Sequence, residues 1–82
     1  MLHEIKIELP YYEAVKQGKK TFEIRHNDRG YNAGDTLRLI PVITGIVTSL
    51  YRPLFATIGY VTSYNQKENF VVFSLLDVRE KV

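Results

Sequence analysis

Cysteine is absent from this chain of 82 residues, and histidine occurs only at His3 and His26. Without cysteine, neither a disulfide bond nor a thiolate metal site can form. The two histidines lie far apart in the sequence and lack the spacing of metal ligands, so we expect no structural zinc and no other metal. We expect His3, close to the N-terminus, to be exposed to solvent. No motif in the sequence indicates a cofactor.

A long apolar run is also missing, because no stretch of the sequence is long and apolar enough to cross a bilayer. The chain begins with a segment in which charged and apolar residues alternate, and this is not the pattern of a signal peptide. We therefore expect a protein without a membrane partner, located in the cytoplasm.

The size and composition are those of one globular domain, which we expect to comprise residues 1–82. Six tyrosines and four phenylalanines supply bulky side chains for a small core. The net charge of +2 is too small to indicate nucleic-acid binding by itself. Positive charge is concentrated locally, because five basic residues outnumber two acidic ones between Lys16 and Arg29.

The first part of the chain predicts a strand and then a helix. In "HEIKIEL", residues 3–9, apolar and charged side chains alternate as in a half-buried strand. Pro10 suits the first turn of a helix, and "PYYEAVKQGKK" has apolar residues at helical spacing, beginning with Tyr11. We expect Tyr11 and Tyr12 to serve packing, with at most one of them facing a ligand site. Gly18 predicts the end of the helix in a left-handed conformation.

The rest of the chain predicts more strands. "TFEIR" resumes the alternation, and we expect Phe22 and Ile24 to face the core. "TLRLIPVI", bent or broken near Pro41, "LFATIGYVTSY" and "NFVVFSLLDV" are further predicted strands. The last has apolar residues of both parities and is predicted to be a central strand covered on both faces. Its predicted core residues are Phe70, Val72 and Phe73.

One helix among many short strands favours a mainly β, α+β fold, in which the helix caps a small barrel. A barrel would also remove the exposed edges that a mostly β chain presents. The segment "TGIVTSLYRP" fits a strand, a hairpin or a long loop.

The stretch "GKKTFEIR" contains the charged residues that best suit a ligand site. On a strand, Thr21, Glu23 and Arg25 share one face, so Glu23 could accept a hydrogen bond from the guanidinium and hold it rigid. A rigid guanidinium is a good reader of phosphates and base edges, and Lys20 suits a phosphate. From spacing alone, an ordinary solvated strand face is the more economical interpretation, since exposed ion pairs contribute little stability.

The same stretch, Gly18 to Arg25, matches the pattern G-x-K-x-x-E-x-R and resembles the signature of the ASCH (activating-signal-cointegrator homology) domain family of the PUA-like superfamily. The resemblance is sharpest over residues 3–40 and is closest to a compact bacterial and phage branch. It implies a pseudo-barrel of five or six strands with one or two short helices. It also implies a cleft beside the motif strand that binds RNA or a nucleotide-like ligand.

The resemblance also implies candidate residues. Gly18 would permit the tight turn from helix to strand, and a loop with Asn27 and Arg29 could fold over the cleft. Tyr31 could either stack on a base or anchor that loop on the barrel. The candidate ligand-binding residues are Lys20, Glu23, Arg25, Asn27, Arg29 and Tyr31.

Two alternatives remain open at this point. Some small relatives of the family resemble amidohydrolases that act on acylated cytidine-type nucleosides, for which Lys20, Thr21 and Glu23 would be the catalytic candidates. The distal acid of those enzymes could correspond only to Asp77 or Glu80, neither in a recognisable motif. The third function is a protein-interaction module without a small ligand, which would show a contiguous exposed apolar patch, with "VITGIVTSLY" as its candidate segment.

Overall fold

A computed structural model describes all 82 residues and contains six strands and one helix. In chain order these are β1 (Leu2–Glu8), α1 (Leu9–Lys16), β2 (Phe22–His26), β3 (Thr36–Ile43), β4 (Ile46–Val47), β5 (Leu54–Thr62) and β6 (Phe70–Arg79). The predicted mainly β, α+β fold is confirmed. Pro41 does not break β3, which continues through it to Ile43.

The strands form a single curled sheet in the order β1-β3-β5-β6-β2, and β4 pairs with the end of β3. β1 and β3 are parallel, whereas the other paired strands are antiparallel. β1 and β2 are thus the two edges of the sheet, and no ladder of backbone hydrogen bonds joins them. Two arginine side chains span this gap instead: Arg25 donates to the carbonyl oxygen of Lys6, and Arg29 donates to that of Glu4. We call this gap the seam.

The helix α1 closes one end of the half-barrel. Its buried residues are Tyr12 and Val15, and the hydroxyl of Tyr12 donates to the carbonyl of Arg52 at 2.8 Å. Tyr11, predicted to lie on the apolar face, is instead 57% exposed. Adjacent residues of a helix point about 100° apart, so Tyr11 points away from the face on which Tyr12 is buried. Gly18 has φ of +78°, which confirms the predicted left-handed end of the helix.

The strand β2 presents the opposite face to the one predicted. Phe22 and Ile24 are 43% and 51% exposed, whereas Glu23 between them is only 4% exposed. Alternation sets the period of the side chains but not which set points inward. At this edge the inner side of the sheet borders the seam, where Glu23 has cationic partners, and Ile24 lies beside Val72 on the outer surface.

The last strand, β6, is central in the sheet as predicted but is covered fully on one face only. Val71, Phe73 and Leu75 are buried, whereas Phe70 and Val72 are only half-buried on the outer surface. The prediction that Phe70 and Val72 belong to the core was therefore wrong. The outer surface of β6 has no second layer of structure packed on it, since the single helix lies at the other side of the fold, against β1 and β3.

The segment after β3 forms a tight hairpin. Thr44 and Gly45 have φ values of +49° and +79°, so the two residues make a turn of the type that joins antiparallel strands directly. The carboxylate of Glu8 accepts hydrogen bonds from the backbone N–H groups of both turn residues, each at 3.0 Å. β4 is the return strand of this hairpin, and residues 48–53 then lead to β5.

His3 is buried rather than solvent-exposed, so that prediction was wrong as well. It shares the inward parity of Ile5 and Ile7 on β1, and its Nε2 lies 2.8 Å from a carboxylate oxygen of Asp35. Asp35 also accepts a hydrogen bond from the backbone N–H of Asn32. The hydrogen bond to His3 is the main reason why the pKa of Asp35 falls below its usual value, and the Asn32 bond acts in the same direction.

A lowered pKa makes Asp35 a source of acid sensitivity. The folded protein binds the Asp35 proton less readily than the unfolded chain, so its stabilising contribution is present above the unfolded pKa and is lost as the pH falls through the folded pKa. We expect Asp35→Asn to lower Tm at about pH 7, and the difference from the wild type to shrink as the pH falls through the folded pKa and the Asp35 carboxylate becomes protonated. Thermal unfolding followed by circular dichroism, from neutral to acidic pH, measures the Tm of the variant and of the wild type. Asp77→Asn, at a position 76% exposed at its side chain, is the control and should show little change. A constant Tm difference at every pH would contradict the assignment.

Gly59 on β5 lies too close to β6 for any side chain. A Cβ atom built there would be less than 3.0 Å from Ser74 Oγ and 2.9 Å from the Leu76 side chain. Ser74 Oγ also accepts a hydrogen bond from the backbone N–H of Tyr60 at 2.8 Å, in the irregular part of the β5–β6 pairing. A methyl group at Gly59 must therefore displace the Ser74 side chain, which accepts the hydrogen bond from the Tyr60 N–H.

We expect Gly59→Ala to lower the free energy of unfolding by about 1–3 kcal/mol, through overpacking and the lost hydrogen bond. Urea denaturation measures this change. Ser74→Ala removes one clashing atom, so the double variant should be less destabilised than the sum of the two single variants. A neutral Gly59→Ala variant would show that the strands separate at no cost, and strict additivity would show that Ser74 is not the group that clashes.

Candidate functional site

A cleft of about 590 Å³ opens along the seam, between the edge strands β1 and β2 and beside the start of α1. The strands supply its two walls, and the turn that follows the helix supplies its end. Its size is in the range of pockets that hold small organic ligands. The residues that line it are Lys6, Ile7, Glu8, Tyr11, Lys20, Phe22, Glu23, Ile24, Arg25, His26 and Phe70.

A buried carboxylate with two cationic partners forms the floor of the cleft. Lys20 Nζ donates to Glu23 Oε1, and Arg25 Nε donates to Glu23 Oε2 at 2.9 Å. The local chain geometry explains this arrangement: the left-handed Gly18 turns the chain at the end of the helix, and the strand then places residues 23 and 25 on one side. The structure therefore brings Lys20, Glu23 and Arg25 together in one hollow, as the motif suggested.

Arg25 is fixed at a second point. Its Nη2 donates to the backbone carbonyl of Lys6 at 2.6 Å, across the seam, while Nη1 has no hydrogen-bond partner in the protein. The guanidinium is thus oriented by a carboxylate on its own strand and by a carbonyl on the opposite strand. A planar donor group held in this way can bind an anionic or carbonyl oxygen without first being ordered.

The end of the cleft near α1 is apolar and aromatic. Lys20 Nζ lies 5.5 Å from the centre of the Tyr11 ring and 5.2 Å from the centre of the Phe22 ring, within reach of cation–π attraction. Ile24 and Phe70 extend this surface along β2 and β6. Sequence reasoning missed Phe22 and Ile24 as cleft residues because it assigned the wrong face of β2 to the core. We call this half the aromatic half.

A second depression, of about 400 Å³, adjoins the cleft and shares Lys6, Arg25 and His26 with it. Arg29 lines this depression, where it donates to the carbonyl of Glu4 and lies 3.8 Å from Asp28. The shared residues make the two depressions one continuous groove. We call the second part the basic half after its cations Lys6, Arg25 and Arg29; the carboxylates of Glu4 and Asp28 also line it. Arg25 lies at the junction of the two halves.

Two of the residues predicted for the ligand site have structural roles. Asn27 lies outside the groove; its side-chain oxygen accepts a hydrogen bond from the backbone N–H of Tyr31 at 3.2 Å. Tyr31 is only 5% exposed, and its ring lies 5.0 Å from both the His3 and the Phe73 rings. Burial is the main reason why the pKa of the Tyr31 hydroxyl is raised. Tyr31 also lines the second depression, but its ring is almost entirely buried, so it anchors the loop on the barrel.

Only part of the hydrolase set lies in the cleft: Lys20 and Glu23 line it, whereas the other candidates do not. Thr21 is exposed, and its carbonyl accepts the backbone N–H of Leu75 at 2.9 Å; neither it nor Asp77 nor Glu80 lines the cleft. A nucleophilic lysine needs a free amine, whereas the ammonium of Lys20 is bound to Glu23. No group of three or more histidine, aspartate or glutamate side chains is placed to hold a metal ion.

The helix is too short for a bilayer. α1 has eight residues, and no helix in the structure combines the length and the apolar character that crossing a membrane requires.

Two comparisons place the chain among known proteins. It is 43% identical over 47 residues to a protein of Escherichia phage P2 described as "Uncharacterized 12.9 kDa protein in GpA 3'region". The matched part is 57% of this chain and 43% of the phage protein, so the chain spans less than half of that relative. A family model described as "Domain of unknown function (DUF3850)" matches residues 2–75, which include β1, the motif strand, the groove and most of β6. The chain therefore belongs to the DUF3850 family.

Proposed function

We propose that the groove binds a nucleotide unit, either free or within single-stranded RNA, and that the chain is an ASCH-type, PUA-like binding domain. The observation that carries this proposal is the position of Arg25. Its guanidinium is oriented by Glu23 and by the Lys6 carbonyl at the junction of an aromatic and a basic surface. A nucleotide has the same division, with an apolar base face at one end and an anionic phosphate at the other.

The aromatic half suits the base. Tyr11 and Phe22 are exposed rings on two different elements, and both line the cleft. Stacking on such rings is sequence-tolerant and contributes about 1–3 kcal/mol per base. Exposed aromatic rings beside a cation would otherwise remain in contact with water, so a base that covers them removes apolar surface from solvent.

The basic half suits the phosphate. Arg25 Nη1 is unpaired, and the exposed side chain of Lys6, which faces both halves, forms no ion pair. Arg29 adds a third cation at the far side. Phosphate contacts of this kind give affinity without sequence preference, while the base edge gives selectivity.

Arg25→Ala should weaken binding of a labelled single-stranded RNA or of a mononucleotide by about 10-fold or more, because a charge-assisted hydrogen bond to phosphate is lost. Arg25→Lys retains the charge but not the planar fork and should recover only part of the affinity. Fluorescence anisotropy and calorimetry measure both effects. The matched control is Arg79→Ala: the Arg79 side chain is also 27% exposed and also makes two hydrogen bonds, but it does not line the groove.

Both arginine variants are expected to lower Tm, because each loses its bonds to a carbonyl and to a side chain. Only Arg25→Ala should reduce binding beyond what unfolding explains. Equal affinities for Arg25→Ala and the wild type, measured at a temperature where both are folded, would remove the groove as the binding site. No binding of any RNA or nucleotide by the wild type would remove the proposal itself.

Binding should also weaken steeply with salt. Each phosphate contact to single-stranded RNA contributes about −0.7 to the slope of log K against log salt concentration. Contacts from Arg25, Lys6 and Arg29 predict a slope near −2, and Lys6→Gln should reduce its magnitude by about 0.7. Titrations at several salt concentrations measure this slope. Lys67→Gln, on the β5–β6 turn outside the groove, should leave it unchanged. A slope near zero would show that the ligand makes no phosphate contacts.

A further inference from the structure

The β3–β4 hairpin leaves one backbone edge without a partner. β4 pairs only with β3, with Ile46 opposite Ile43 and Val47 opposite Val42. The backbone N–H of Thr48 donates to the carbonyl of Pro41, so Thr48 points towards β3. Neighbouring residues of a strand direct their backbone groups to opposite sides. The N–H and C=O groups of Val47 therefore point away from β3.

The surface around this edge is apolar. Ile43, Ile46, Val47 and Leu50 are all exposed, with Ile46 at 73% and Leu50 at 81%. No charged residue occurs from Leu39 to Tyr51. Exposed strand edges of monomeric proteins are normally protected by a very short strand, by charges, by proline or by a covering element, because an open edge pairs with other chains. β4 is short, with two residues. The β4 edge has none of the charges that would prevent such pairing.

The other edges of the sheet are treated differently. The carbonyls of Glu4 and Lys6 on β1 accept hydrogen bonds from Arg29 and Arg25, and β2 bears charged side chains on its inner face. The contrast within one small domain indicates that the β4 edge is a contact surface.

We propose that two copies of this chain associate through their β4 edges, as an antiparallel pair with Val47 of one copy opposite Val47 of the other. At the centre of such a pair, the residue whose backbone groups point outward lies on the two-fold axis. It exchanges two N–H···O=C bonds with the equivalent residue of the second copy. Ile46 then lies opposite Thr48 of the second copy. A two-fold contact joins the same strip of both copies, and because the residues of this strip carry no charge, it brings none of their like charges together.

The hairpin is held in the shape that this contact requires. Glu8 fixes the backbone N–H groups of Thr44 and Gly45, so little ordering remains to be done on association. The contact is nevertheless small, since β4 has two residues and few side chains surround it. It is well below the roughly 800 Å² per partner of a standard interface. We expect a dissociation constant on the order of 0.1–1 mM, a weak dimer that forms at high local concentration.

Sedimentation velocity and NMR on the full chain, without nucleic acid, from about 10 µM to about 2 mM test the proposal. We expect concentration-dependent dimerisation, with amide exchange at Val47 slowing as the dimer forms. Val47→Pro removes the outward donor and leaves the β3 ladder intact, so it should be monomeric throughout. Val47→Thr keeps the donor and should dimerise like the wild type.

Ile46→Lys is the second disrupting variant; it places two like charges beside the axis and, at an exposed position, should fold normally. Tyr64→Lys is its matched control, because Tyr64 is 83% exposed on the β5–β6 turn. A wild type that remains monomeric at the highest concentration overturns the proposal. A dimer that persists in Ile46→Lys also overturns the proposal, and so does a dimer that Tyr64→Lys disrupts. Each of these results would place the contact elsewhere on the surface. The outcome does not depend on whether the groove binds RNA.

Discussion

The buried carboxylate of Glu23 links the cations of the motif to the closure of the sheet. A carboxylate that is 4% exposed has lost most of its hydration, so its oxygens need hydrogen-bond donors within the protein. Lys20 satisfies one oxygen and Arg25 the other. Removing either cation would leave a poorly compensated buried charge, which is far more costly than the loss of an exposed ion pair. The two ion pairs of Glu23 therefore matter for stability more than the spacing of the residues alone suggested.

Through Arg25, the same carboxylate determines how the half-barrel closes. A complete barrel would join β1 and β2 by a ladder of backbone hydrogen bonds, and this ladder would fill the space between them. Here the guanidinium bound by Glu23 reaches the carbonyl of Lys6, and Arg29 reaches that of Glu4. The edges are held together by long side chains, so the strands stay far enough apart for a cleft of about 590 Å³. Closure and cavity have one cause.

The sequence was sufficient for the order of the elements but not for every face. Strict alternation in "HEIKIEL" and the glycine after the helix are local signals, and the strand, the helix and the left-handed turn all follow them. On β2, alternation does not determine which set of side chains faces the interior, because that depends on the strand across the seam. His3 was misjudged, and the two roles of Tyr31 were left open, for a related reason: their burial comes from Asp35 and Phe73, distant in sequence. The aromatic half could not be found without knowing that Tyr11 and Phe22 meet beside Lys20.

Glu8 connects the groove to the β3–β4 hairpin. It occupies the N-cap position of α1, yet its side chain makes no capping hydrogen bond to the helix. A cap would satisfy a helix N–H and strengthen an isolated helix. The Glu8 carboxylate instead holds the turn at Thr44 and Gly45, while the residue itself lines the cleft. The helix can do without the cap because Pro10 favours its first turn and because Tyr12 and Val15 are buried against the sheet. One residue thus lines a wall of the groove and also holds the turn beside the open edge.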